Sequence, residues 1–125
     1  MGNRLLAIGY GLLVIVVACF SERDATAPPA EGVCSLPVGE GAPGSTLVIV
    51  RAFTFAPPEL RVRAGDRVTW VNCDPDPHTS TADAGQWSSP LLSTGDAFTH
   101  TFDAVGEYPY HCAPHPFMTA RVIVE

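Results

Sequence analysis

From Thr46 onward, short apolar runs alternate with Pro, Gly and Asp: TLVIVR (46–51), ELRVR (59–63), RVTWVN (67–72), AFTHTF (97–102), EYPYHC (107–112) and ARVIVE (120–125). Within these runs Leu60 and Val62 alternate with Arg61 and Arg63, and Val68 and Trp70 with Thr69 and Val71. A period of two puts every second side chain on one face, so the runs predict strands that each lay one face on a core. AGD at 64–66 and VGE at 105–107 supply hairpin or corner turns, and no ten-residue segment carries a helical stripe. The pattern predicts an all-β sandwich.

The N-terminal pattern is different. After MGNR comes a 14-residue apolar run from Leu5 to Ala18, shorter than the ~20 residues a bilayer span requires, so residues 1–18 read as an export signal. The run ends in VVAC, which resembles the lipobox of bacterial lipoprotein signals and makes Cys19 the candidate acylated N-terminus. Val16 stands where Leu is commoner and Phe20 is bulky, which leaves a plain cleaved signal and an uncleaved anchor as competing readings. Residues 19–45 are rich in Ala, Pro, Gly and Glu and read as a linker. The globular part, 46–125, is small for an independent core, so a metal or a disulfide is expected to contribute to its stability.

Charge narrows the partners. Without Arg4, six arginines and no lysine face thirteen acidic residues, for a net charge of about −7. No basic patch offers phosphate contacts, so nucleic acid is not a partner; the acidic surface reads as a solvated one that keeps the chain soluble.

The candidate chemistry lies near the C-terminus, in YHCAPHPFM at 110–118, where Cys112, His115 and Met118 follow one another at intervals of three. Pro114 and Pro116 lack a backbone N–H, and proline keeps Ala113 and His115 out of helical geometry. The stretch is therefore a tight loop that can turn three soft donors toward one point. Of the four histidines, His78 best supplies a fourth donor, because it follows VTWVNCDPDP, a strand end and a Pro-rich loop. His100 lies mid-strand and reads as structural. His111 precedes Cys112 on a strand, so its side chain points to the opposite face.

Two imidazoles, one thiolate and a weak axial thioether form the donor set of blue copper. Structural zinc does not take thioether, and the C-x-x-C-H haem attachment and the four thiolates of an iron–sulfur cluster are absent.

With these residues in view, the chain resembles the cupredoxins, within them the plastocyanin-like group and above all the amicyanins. The resemblance covers residues 46–125. It rests on AGDRVTWVN, on Pro77-His78, on F-x-x-T-F-x-x-x-G-x-Y-x-Y-H-C from Phe98 to Cys112, and on C-x-x-H-P-F-M from Cys112 to Met118. It implies a Greek-key β-sandwich with one type 1 copper ion held by His78, Cys112, His115 and axial Met118. Two departures stand out. Thr79 replaces the Asn of many relatives, and its backbone N–H and hydroxyl are expected to serve the Cys112 sulfur and bridge the two ligand loops. Cys34 and Cys73 lie outside the copper set; in an exported protein they suggest a disulfide, with two free thiols as the alternative.

The implied function is one-electron transfer, with copper shuttling between Cu(I) and Cu(II). No open coordination position remains for a substrate, so the chain does not read as an enzyme. A copper carrier or storage protein is the alternative, though it favours exchangeable Met- or Cys-rich sites. A copper oxidase or reductase domain needs more histidines than four. The expected partner is a redox protein (a dehydrogenase, cytochrome or reductase) that docks near His115, Pro114 and Phe117. The expected location is the periplasm or cell envelope, with a membrane tether by lipid on Cys19.

Overall fold

The computed structural model describes residues 30–35 and 46–125; the export signal, Cys19 and most of the linker lie outside them. The elements are α1 (Ala30–Cys34), β1 (Leu47–Arg51), β2 (Thr54–Ala56), β3 (Glu59–Val62), β4 (Arg67–Asn72), β5 (Thr81–Ala82), β6 (Ala97–Thr101), β7 (Gly106–His111) and β8 (Thr119–Val124). They form two four-stranded sheets, ordered β2-β1-β4-β6 and β3-β8-β7-β5. Two pairs are parallel, β1 with β4 and β3 with β8. The all-β sandwich expected from the alternation is the fold observed.

Each of the six apolar runs contains a strand. On β4, Val68 and Trp70 face the core; on β8, Val122 and Val124 do so, and all four are at most 2% exposed. Trp70 is the hub. Its ring lies 5.5 Å from that of Tyr110 and 5.7 Å from that of Trp87, with Phe98 and Phe102 a little farther out. Such aromatic pairs each contribute roughly 0.5–1.5 kcal/mol beyond the area they bury.

Both predicted turns are corners that carry the chain from one sheet to the other. At the first, Gly65 has φ 94°, a left-handed value that costs glycine little, and its N–H donates to the Phe102 carbonyl at 2.6 Å. The Asp66 carboxylate accepts the Arg63 N–H at 2.8 Å and closes the turn.

Part of the outer face of one sheet is covered. Ile49 and Val71 point away from the main core yet are 7% and 3% exposed, because Val33 of α1 packs on them. Cys34 and Cys73 form a disulfide across 39 residues of sequence, and the Arg51 guanidinium donates to the Cys34 carbonyl. A short piece of the stretch read as linker is thus bonded and packed onto β1 and β4.

Candidate metal centre

Three strand ends build the site. β4 ends at Asn72, which is fully buried and organises the loop that follows. Its amide group donates to the carbonyls of Asp76 and Leu92, both at 2.9 Å, and its side-chain oxygen accepts the Asp74 N–H. Two backbone hydrogen bonds between His78 and Leu92 then fix the position of His78 itself. β7 ends at His111, and the 112–118 loop closes on itself: Cys112 N–H donates to the Met118 carbonyl at 3.1 Å and Met118 N–H to the His115 carbonyl at 2.9 Å. The prolines forbid helix, and these two bonds supply the tight turn that takes its place. β1 ends in the turn to β2, which carries Phe53.

The structure brings together His78, Cys112 and His115. Their donor atoms form a triangle: Cys112 Sγ lies 3.6 Å from His78 Nδ1 and 3.7 Å from His115 Nδ1, and the two nitrogens are 3.2 Å apart. A point equidistant from all three lies about 2 Å from each, which is the length of a first-row metal–nitrogen bond. The donors therefore fit a small soft metal ion without rearrangement. His78 and Cys112 are fully buried, Met118 is 2% exposed at the end of the same loop, and His115 is half-buried.

The surroundings orient the donors. His78 Nε2 lies 2.9 Å from Asp74 Oδ2, so a proton on Nε2 leaves Nδ1 as the free donor. Burial pushes the Asp74 carboxyl up, but the Phe53 and Ala52 amides and the His78 ring outweigh it and hold the group below the usual carboxylate value. Thr79 does what was expected of it: its N–H approaches Cys112 Sγ at 3.4 Å, and its hydroxyl accepts the Ala113 N–H at 2.8 Å and bonds to Thr81. The two ligand-bearing loops are tied together through this one residue.

The other histidines stay outside. His100 stacks on Trp87 at 5.0 Å, and burial lowers its pKa against the opposing pull of Asp103. His111 Nδ1 meets the Asp83 carboxylate at 2.6 Å on the other face of β7.

Sequence reasoning missed two residues. Asp74 accepts hydrogen bonds from His78 and from two turn amides, and Phe53 sets its ring edge-on to both imidazoles, at 5.3 Å from His78 and 5.1 Å from His115. The available signal for Asp74 was an acid four residues before the histidine in a Pro-flanked loop. Phe53 gave none, because its role depends on a turn that brings it in from another strand.

A two-sheet β-sandwich with a buried triangle of two imidazoles and a thiolate at one end defines a soft-metal protein whose centre is filled by its own side chains. Residues 45–125 match the model of the copper binding proteins of the plastocyanin/azurin family. Amicyanin of Paracoccus denitrificans is 36% identical over 121 residues, covering 91% of this chain and 92% of that protein. Amicyanin-alpha of Methylorubrum extorquens is 38% identical over 113 residues, covering 86% and 94%. Among solved structures, an oxidized amicyanin mutant superposes with a TM-score of 0.62 at 36% identity, covering 72% of this chain and 90% of that one. A purple cupredoxin from Nitrosopumilus maritimus superposes with a TM-score of 0.61 at 32% identity, covering 65% and 100%. The chain belongs to the plastocyanin/azurin family of copper-binding proteins.

Proposed function

We propose that this protein is a one-electron carrier in which His78, Cys112, His115 and Met118 hold a single type 1 copper ion. The donor triangle carries this reading: two imidazole nitrogens and a sulfur already stand at copper-binding separations in a buried site. Copper bound there supplies one-electron exchange between Cu(I) and Cu(II). The chain's own part is to hold the donors still. The 112–118 turn, the Thr79 bridge and the Asn72-ordered loop give the side chains little freedom to rearrange when charge changes, which favours fast transfer over chemistry on a substrate. Copper titration followed by visible absorbance tests the reading. One tightly held copper per chain with an intense visible band is expected; colourless, freely exchanging Cu(I) speaks for a carrier instead.

Electrons pass through the edge of His115. This residue is half-buried between exposed Pro114, Pro116 and Phe117, and Phe117 is 72% exposed. Weak electron-transfer contacts bury under about 1,200 Å² in total, so a few apolar residues around one conducting ligand can dominate docking. Phe117→Glu or Pro114→Glu is expected to slow reaction with the physiological redox partner at least tenfold while copper affinity stays within about twofold. Arg63 serves as the control, because it sits by the end of β3, which pairs with the far end of β8 from Met118. Stopped-flow rates that fall for a charge at Arg63 and stay normal for Phe117 and Pro114 variants place the port elsewhere.

The N-terminal segment fits export to the cell envelope, with residues 1–18 as the signal, the part of the 19–45 linker ahead of α1 as a tether, and 46–125 with the stapled α1 as the copper domain. Intact mass of the native product is expected to show Cys19 as the acylated first residue, and Cys19→Ala to release the protein from the membrane. A non-acylated chain cut at another position contradicts the lipid anchor.

A further inference from the structure

Asp74 joins His78, four residues on, to a turn more than twenty residues earlier in the chain. The residue is 5% exposed. One carboxylate oxygen lies 2.9 Å from His78 Nε2 and accepts the Phe53 N–H at 3.0 Å; the other accepts the Ala52 N–H at 2.7 Å. Ala52 and Phe53 have φ values of 51° and 56°, so the turn between β1 and β2 places two successive non-glycine residues in the left-handed region. That conformation is sterically unfavourable, most for a bulky side chain, and hairpin turns of this kind normally use Asn and Gly. A buried anion that accepts both turn amides offsets the cost. With the turn so held, Phe53 lies across the two imidazoles at interplanar angles of 86° and 87° and within 6.3 Å of Phe117.

We infer that Asp74 is a positioning residue that sets the balance between Cu(II) and Cu(I): its carboxylate fixes the His78 ring with Nδ1 toward the centre and, through the turn, seats Phe53 over both imidazoles. This inference rests on the copper reading above. A hydrogen bond from Nε2–H to an anion makes Nδ1 a stronger donor, and a negative charge in a water-poor setting favours the more positive metal ion. Both effects act in one direction. They hold Cu(II) more tightly than Cu(I) and so lower the reduction potential.

The test compares the copper-loaded full chain with Asp74→Asn, Asp74→Glu and Phe53→Leu, by redox titration and by Cu(II) and Cu(I) competition assays. For Asp74→Asn, Cu(II) affinity is expected to fall 10- to 100-fold relative to Cu(I), which is a rise in potential of roughly 60–120 mV at about 59 mV per tenfold for one electron. Asp74→Glu keeps the charge and is expected to recover part of the shift. Phe53→Leu keeps the carboxylate and is expected to move the potential less than Asp74→Asn does. A potential unmoved by Asp74→Asn, or moved more by Phe53→Leu, overturns the inference while a blue wild-type protein leaves the copper reading intact. A wild-type protein that takes up no copper overturns both. If Asp74→Asn fails to fold, NMR of the zinc-loaded wild-type chain decides. A slowly exchanging, downfield proton on His78 Nε2 supports the inference, and a bare Nε2 overturns it.

Discussion

Cys112→Ser is expected to remove the intense visible band of the Cu(II)-loaded protein, at least tenfold at equal copper content, while the sandwich stays folded. With copper bound, the band would come from covalent thiolate–copper bonding through Cys112, and a serine hydroxyl neither ionises near neutral pH nor bonds copper with comparable covalency. The fold is expected to survive because serine is nearly the same size and shape as the fully buried Cys112 side chain it replaces. Its sulfur meets Thr79 N–H and the two imidazole nitrogens, and serine keeps a polar acceptor in the same place. The structural cost of the change is about 1–3 kcal/mol, within what a small domain tolerates. Met118→Leu provides the contrast. Met118, 2% exposed at the end of the ligand loop, would be the weakest of the four donors, so its loss is expected to shift potential and spectrum while copper stays bound and coloured. Absorbance and electron paramagnetic resonance at matched copper loading check both variants. A serine variant that keeps the full band sinks the assignment of Cys112.

How much of this was legible depended on how local each feature is. The six strands that showed in the sequence run four to six residues, long enough for alternation to register. β2 and β5 have three and two residues, which no periodicity can reveal; they exist only because β1 and β7 offer a free edge beside them. The five-residue α1 sat unread in Pro- and Gly-rich surroundings. Its trace lay elsewhere, in Ile49 and Val71, whose apolar side chains break the alternation on the face that α1 covers. Within the site, Cys112, His115 and Met118 were readable because a single proline-stiffened loop carries all three. His78 was readable because a strand must end where a loop ligand begins. Thr79 was readable through the family pattern alone. Asp74 and Phe53 belong to a network that closes only when the β1–β2 turn meets the loop after β4, and that meeting is a property of the sandwich rather than of any segment.

Removing the Cys34–Cys73 bond by the double change Cys34→Ala and Cys73→Ala is expected to lower the unfolding free energy of the apoprotein by about 3–4 kcal/mol. The bond spans 39 residues, and in the chain-entropy model a loop of that size restricts the unfolded chain by about this amount. The native state changes as well, but there the burial lost with α1 is offset by the chain freedom that α1 regains. With the bond gone, a five-residue helix has too few hydrogen bonds to persist by itself, so α1 leaves the sheet. Val33 then no longer covers Ile49 and Val71, and three buried apolar side chains become exposed to water. For a domain of this size, 3–4 kcal/mol corresponds to a fall in Tm of roughly 15–25 °C. The core around Trp70 is a separate cluster, so the variant is expected to remain a folded sandwich at 25 °C. Urea unfolding of the apoprotein by Trp fluorescence, with and without the two cysteines, measures the difference. A loss under 1 kcal/mol indicates that the staple and its helix contribute little and that the sandwich supplies nearly all of its own stability.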